Sequence, residues 1–454
     1  MQPNINEYLK KGILLSPELN ELKINKLEAR KEDIKLGKVI VSESYEEVNQ
    51  KKTFKDFVNR YNNRFKQIQN ILRNRQELQS ATSIIRLMNL PENETVSFIG
   101  MILEKSKTRN DNYMLVLEDP SGYTKAIVTK NSPVYNIAKE LTPDEIVGVQ
   151  GVKGKGIIFV NNLIQPDIPL SKELKKSPQK EAALFISDLH VGAKQFLKEP
   201  FERFLDWING NVGSEEQKKE VEKIKYLFLI GDLVEGIGIF PGQEKELEKK
   251  DIFEQYKMFS DFFKKIPSHI NLIICPGNHD YVRIAEPQPP IPKIALPELY
   301  ERDNTFFVSS PSIVNIGSNN DFSGFNVLLY HGFSFPYFAN NIESIRFAGG
   351  LESTDKIMAY LLKKRHLAPT HGSTRMQMGF ETDPLVIEKI PDFFVSGHIH
   401  RATVSNYRNV TLLNCSCWMS QTDYQEKRGL VPQPARAIYV DLQTRKTKIL
   451  SFEK

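Results

Sequence analysis

Pro276-Gly277-Asn278-His279-Asp280 directly follows Leu272-Ile273-Ile274-Cys275, an apolar run of strand length. Gly, Pro, Asn and Asp build turns for backbone reasons alone, so one strand ending this way carries little information. Four further apolar runs end alike. Residues 183–187 lead into Asp188-Leu189-His190, and 226–230 into Gly231-Asp232. Residues 327–330 lead into His331-Gly332, and 393–396 into Gly397-His398-Ile399-His400. Five strands that each present an imidazole, carboxamide or carboxylate at the carboxyl end put those groups where open α/β sheets hold their ligands.

The chain of 454 residues is too long for one ordinary core, so two or more domains are expected. Its 40% hydrophobic and 26% charged residues describe a globular protein. The net charge of +5 permits a nucleic-acid partner without demanding one. No apolar run approaches the roughly 20 residues of a membrane span, and Met1-Gln2-Pro3-Asn4 does not open a signal-peptide pattern. The 3 cysteines cannot all pair, which points to a reducing, cytoplasmic setting with no membrane partner. Cys415 and Cys417 are spaced too tightly for the usual metal-binding pair, and the burial habit of cysteine favours strand residues.

Residues 1–90 read as a helical, basic N-terminal region, with 17 Lys and Arg against 11 Asp and Glu. The charged segment 1–50 fits a DNA-contacting arm and a solvated docking segment equally well. Over 54–78, Phe54, Phe57, Val58, Tyr61, Phe65, Ile68, Ile71 and Leu72 recur at helical spacing behind Thr53 as N-cap, and the stripe reads as helix core. Residues 91–165 change to strand-like runs at 96–104, 113–118, 123–129, 145–152 and 156–163, with a turn at Asp119-Pro120-Ser121-Gly122. Five short strands suit a small all-β oligonucleotide-binding barrel, whose partner is a single strand or a protein. Residues 166–180, with 3 prolines, 2 serines and 4 lysines, read as a linker. From 181 to 454, strands alternate with helical stretches at 199–210, 253–265 and 349–365, and a proline-rich loop occupies 287–292. This is α/β architecture, sheets flanked by helices.

Of the 8 histidines, those at 190, 279, 331, 398 and 400 lie at or beside strand ends; His269, His366 and His371 have no such context and read as ordinary surface or core residues. Asp188, His190, Asp232, Asn278, His331, His398 and His400 are too many donors for one first-row ion with an open position. They suit two divalent ions bridged by Asp232. Mixed imidazole and carboxylate donors favour Mn foremost, then Fe, Ni or Zn, with Mg a weaker fit. Such a pair clamps a phosphate ester and activates water. His279, next to ligand Asn278, is the candidate general acid. Asp280 either orients His279 or caps the turn.

Together, Asp188-x-His190, Gly231-Asp232, Gly277-Asn278-His279-Asp280, His331 and Gly397-His398-x-His400 resemble the calcineurin-like metallophosphoesterase superfamily in order and spacing. The stretch Gly-Asp-Leu-Val-Glu-Gly-Ile-Gly-Ile-Phe-Pro-Gly-Gln at 231–243, Arg365-His366-Leu367-Ala368-Pro369 and the upstream barrel further resemble the small-subunit family of archaeal family D DNA polymerases. That resemblance implies a metallophosphoesterase domain over 181–454 and a 3′–5′ proofreading exonuclease acting in DNA replication. It also implies a heterodimer with a large catalytic polymerase subunit, and DNA with single-stranded or frayed 3′ ends as substrate. It further implies one ion on Asp188, His190, Asp232 and His400, the other on Asp232, Asn278, His331 and His398, and His279 as the acid. Related eukaryotic B subunits have lost these ligands; this chain keeps them, which weakens the alternative of a non-catalytic scaffold. The other alternative, a metallophosphatase of the same superfamily, expects Arg in the second motif, where this chain has Gly231-Asp232-Leu233-Val234-Glu235-Gly236. The expected partner faces are the barrel, the aromatic helix and the strand around 437–440.

Overall fold

The computed structural model describes residues 37–46, 51–427 and 429–453; most of the charged segment 1–50 lies outside them. The chain opens with β1 (Val39–Glu43) and α1 (Phe54–Arg73). A barrel follows, formed by β2 (Thr95–Lys107), β3 (Tyr113–Asp119), β4 (Gly122–Val128), β5 (Ile146–Lys153) and β6 (Ile158–Ile164). It closes in the order β2-β3-β4-β6-β5, so the five strand-like runs in the sequence do form one small barrel. Alternate residues such as Phe98, Leu115, Leu117, Val147 and Val149 fill its interior, as the period-2 pleat requires.

The remainder builds two six-stranded sheets. In chain order come β7 (Ala182–Ile186), α2 (Lys198–Ile208), β8 (Ile224–Ile230), α3 (Ile252–Phe263), β9 (Asn271–Cys275), β10 (Thr305–Phe307), β11 (Ser312–Ile316) and β12 (Phe325–Leu329). Then follow α4 (Phe335–Asn341), α5 (Thr354–Lys364), β13 (Phe393–Ser396), β14 (Thr403–Tyr407), β15 (Val410–Asn414), β16 (Arg436–Asp441) and β17 (Thr447–Ser451). One sheet is ordered β10-β9-β8-β7-β16-β17, the other β1-β11-β12-β13-β15-β14. Phe185, Phe228 and Ile273 of the first share a buried cluster with Val314, Val327 and Phe393 of the second. The opposite face of the first sheet, with Leu184, Leu227 and Leu272, packs on Phe204 of α2 and Phe259 and Phe263 of α3. That of the second, with Leu328, Phe394 and Leu412, packs on Phe338 of α4 and Ile357 and Leu361 of α5. The layers are helix, sheet, sheet, helix. Strands covered on both faces read as continuous apolar runs, which is why the five motif strands stand out in the sequence.

Three segments depart from expectation. The aromatic stripe of α1 is core only in its second half: Phe65, Ile68 and Leu72 pack against Leu78, Ile99, Ile146 and Val386, between the barrel and the two-sheet body. Phe54, by contrast, is 81% exposed. The same helix buries Arg60 and Arg64, each 2.8 Å from Asp383. The strand around 437–440 offers no free face, since β16 lies between β7 and β17 with Ala437 to Val440 buried. Residues 166–180 are tied to the body: Ile168 is fully buried, and Lys172 pairs with Asp392 at 2.8 Å.

Candidate metal centre

β7, β8 and β9 are consecutive parallel strands of one sheet, and β12 and β13 are parallel neighbours in the other. Their carboxyl ends deliver Asp188, His190, Asp232, Asn278, His279, His331, His398 and His400 into one region. Asp188, His190 and His400 present ligand atoms within 4.8 Å of one another, as do Asp232, His331 and His398, and also His190, Asp232 and His279. Nε2 of His190 lies 3.1 Å from Nε2 of His400, 4.0 Å from Asp188 Oδ1 and 3.9 Å from Asp232 Oδ2. Nε2 of His331 lies 3.2 Å from Asp232 Oδ2. Asp232 thus stands between the two groups.

The backbone is strained to achieve this. Asp188, His190, Asp232, His398 and His400 all have φ between 51° and 68°, a left-handed conformation costing non-glycine residues about 1–3 kcal/mol each. Neighbouring amides help hold it: His398 N–H donates to Asp188 Oδ2 at 2.9 Å, and His279 N–H to Asp232 Oδ1 at 2.8 Å. The glycines of the motifs follow from the same crowding. A Cβ at Gly277 would collide with the Asp232 carboxylate, and one at Gly397 with the Ser187 hydroxyl.

The residues suit cations. Asn278 Oδ1 is buried without a hydrogen-bond partner, a costly state that a bound cation relieves, and buried His331 Nε2 meets only the Asp232 carboxylate, at 3.2 Å. Nδ1–H of His331 donates to the Ile230 carbonyl at 2.8 Å, leaving Nε2 to face the carboxylates. Without a cation the imidazoles and carboxylates neutralise each other. Burial alone would raise Asp232, but His331, His279 and His190 together outweigh it and hold that carboxyl well below the usual range. Burial alone would lower His331, but Asp232 and Asp188 outweigh it and push the ring up to about 10. Burial and the neighbouring His331 charge bring His398 down to about 3, so its lone pair is available.

Residues 183–405 match the sequence profile of the B subunit of DNA polymerase alpha/epsilon. The chain is 36% identical over 378 residues to the DNA polymerase II small subunit of Methanothermobacter thermautotrophicus, covering 83% of this chain and 75% of the relative. To that of Archaeoglobus fulgidus it is 34% identical over 442 residues, covering 96% and 85%.

The chain belongs to the archaeal DNA polymerase II small subunit family.

It is shorter than some DNA polymerase II small subunits: it aligns with only 63% of the Pyrococcus furiosus protein, at 35% identity. In this family member a set of supporting residues escaped the sequence reading. Glu235 Oε2 accepts from His190 Nδ1 at 2.8 Å, and the Glu235 carbonyl accepts from His279 Nδ1 at 2.7 Å. Gln243 Nε2 donates to both the side chain and the carbonyl of Glu235, at 2.9 and 3.0 Å. The amide of Gln425 donates to Nδ1 of His400 at 2.9 Å, which leaves a proton on His400 Nε2, 3.4 Å from Asp188 Oδ1. A cation taking that nitrogen must displace the proton. Asp280 does not touch His279; it accepts from the N–H groups of Gly277 and Leu233 at 2.8 and 3.2 Å and from the Tyr256 hydroxyl at 3.1 Å, so it holds the turn. His366 is buried against Asp383, and His371 meets the Tyr61 hydroxyl at 2.9 Å; neither approaches the centre. No helix among the described residues is long and apolar enough to cross a membrane.

Proposed function

We propose that this chain is a metal-dependent 3′–5′ exodeoxyribonuclease that works in a DNA polymerase complex. The observation that carries the reading is the gathering of seven O and N donors, Asp232 among them, from five strand ends, with His279 beside them and Asn278 Oδ1 buried without a partner. Asp188, His190, His400 and Asp232 would hold one divalent cation, and Asp232, Asn278, His331 and His398 a second. Manganese fits the donor set best. Bound there, such cations supply charge stabilisation to a phosphodiester and lower the pKa of water.

The chain's own contribution is positioning and a proton. A carbonyl can only accept, so Nδ1 of His279 carries hydrogen toward Glu235 and the opposite nitrogen, Nε2, is left for substrate. As water adds its oxygen to phosphorus and loses a proton to solvent, the P–O3′ bond breaks and the leaving O3′ takes a proton from Nε2 of the doubly protonated His279 ring, which is left neutral with its hydrogen on Nδ1. The products are a 5′-mononucleotide and a strand shortened by one nucleotide with a 3′-hydroxyl. Solvent then restores the proton. General acid catalysis of this kind is worth roughly 10²–10⁴-fold.

Family membership supports a large catalytic subunit as partner, as the relatives' name indicates. The unit that delivers a frayed 3′ end is then the heterodimer, and the five-stranded barrel at 91–165 is the proposed contact for that subunit or for the single strand. The domain reading that accompanies this is a basic region over 1–90, helical at α1 but lending β1 to the second sheet, and a metallophosphoesterase domain over 181–454, joined by 166–180. The test is to incubate the chain, alone and co-expressed with the large subunit, with Mn²⁺ and 5′-labelled DNA bearing a single-stranded or mismatched 3′ end. A descending ladder with 5′-mononucleotide release is expected, and no phosphate release from a phosphopeptide. Hydrolysis of the phosphopeptide would reassign the site to a phosphatase. A loaded complex inert on every DNA end would make the chain a scaffold.

A further inference from the structure

Two cavities meet at the proposed acid. One, of about 430 Å³, contains His190, Asp232, His398 and His400 and reaches Arg401 and Gln425. The other, of about 920 Å³, is lined by Ile237, Ile239 and the prolines at 289, 290 and 292. Asn278 and His279 line both. Each cavity lies within the roughly 300–1,000 Å³ range of ligand sites, so a reacting bond at the junction has room on either hand.

The second cavity has an anchored aromatic in its wall. Tyr281, two residues beyond His279, donates its N–H to the Tyr256 hydroxyl at 2.8 Å, and Tyr256 in turn holds Asp280. The backbone is therefore tied into the ligand loop, yet the side chain is 46% exposed. Phe253 braces the ring at 5.7 Å in a T-shaped contact. A rigidly held but exposed tyrosine contributes little to the core. The groove also carries little to neutralise phosphates: Arg283 is committed to the carbonyls of Ala285 and Pro287, at 3.2 and 2.7 Å. Besides Glu46, Asp280 and Thr305, the walls offer apolar and aromatic surface, which suits bases rather than backbone. Base stacking on such platforms is indifferent to sequence.

Direction follows from the chemistry of the proposed exonuclease reaction, on which this inference rests. The leaving O3′ belongs to the body of the strand, and the group that protonates it is His279. The strand body therefore leaves on the side that His279 shares with the larger groove, and the terminal nucleotide occupies the ligand-lined cleft. We infer that the groove beyond His279 holds the unpaired nucleotides preceding the scissile bond, with Tyr281 stacking on one of their bases.

The experiment is a cycle between enzyme and substrate, run on the Mn²⁺-loaded full chain. The single-stranded substrates are a normal oligonucleotide and one in which the two nucleotides preceding the scissile bond are abasic. For the unaltered chain, kcat/KM is expected to fall roughly tenfold on the abasic substrate. Tyr281→Ala should lose a similar factor on the normal substrate and little more on the abasic one, whereas Tyr281→Phe should behave as the unaltered chain. Metal content, measured in each variant, should not change. Independent losses that multiply would overturn the inference. So would a Tyr281→Ala chain with normal cleavage but weakened capture of the large subunit, which would make the groove a protein contact. If the unaltered chain cleaves neither substrate, alone or with the large subunit, the exonuclease reading itself fails and takes this inference with it.

Discussion

At the scale of single residues, the centre separates groups that hold from the group proposed to react. His279→Ala is expected to keep its metal content and DNA affinity while turnover drops roughly 10²–10⁴-fold. Metal analysis beside single-turnover kinetics checks this, and loss of metal would make His279 a ligand or a structural residue. Protons are the second readout. Since Asp232 and Asp188 hold His331 up to about 10, and His400 faces Asp188 with a proton on Nε2, loading a cation at neutral pH must expel protons. Calorimetric Mn²⁺ titration in two buffers of different ionisation enthalpy should find at least one proton released per chain, with affinity improving as pH rises from 6 to 8. No release would mean that these rings are not ligands.

A further residue-scale prediction concerns Glu286, fully buried with Oε1 unpartnered and Oε2 accepting from the Tyr330 hydroxyl at 3.1 Å. Burial pushes its carboxyl from the ordinary 4.5 up to about 7. A raised folded-state value means that the stabilisation is complete below the unfolded value and is lost as pH rises through about 7. Glu286→Gln, which cannot ionise, should gain on the unaltered chain by on the order of 1–3 kcal/mol between pH 4.5 and 8. Denaturant midpoints across that range test it; parallel curves would place the carboxyl in contact with water.

At the scale of elements, α1 is the instructive case. Its helical period was legible because aromatic and aliphatic residues recur every three or four positions. The hydrophobic pattern could not show that Arg60 and Arg64 lie on the buried side, because their partner Asp383 comes from a distant loop. Asp383→Asn leaves two guanidinium groups buried beside a neutral amide. The expected cost is about 3–5 kcal/mol, concentrated on the docking of α1, so hydrogen exchange over 54–73 should accelerate more than in the barrel. Uniform acceleration would mean that the helix is no separate unit. The motif strands were legible for the opposite reason: each is covered on both faces, so local composition alone announces it. Glu235, Gln243 and Gln425 were not, since nothing local marks a side chain whose partner is a histidine brought up by folding.

At the scale of the molecule, the two sheets contribute unequally. β7, β8 and β9 bring Asp188, His190, Asp232 and Asn278, while β12 and β13 bring His331, His398 and His400. Each proposed ion is therefore held by both sheets, and loading should stabilise their packing as any ligand specific to the folded state does. Elemental analysis is expected to find close to two ions per chain and a melting temperature that rises with Mn²⁺. Asp232→Ala should lose that rise and disturb both ions, and one tightly held ion in the unaltered chain would end the two-metal reading. The barrel, meanwhile, interrupts the body: β1 precedes it in the chain, yet β1 completes the sheet by pairing with β11 far beyond it. During synthesis the first strand must wait, unpaired, while the ribosome delivers the barrel and half of the body, and the barrel has every partner it needs long before then. A nascent chain halted just after β6 should accordingly carry a finished barrel with β1 still unpaired. A shortened gene that begins at α1 would yield a protein whose outer sheet ends in an uncovered β11, an open invitation to edge-to-edge aggregation.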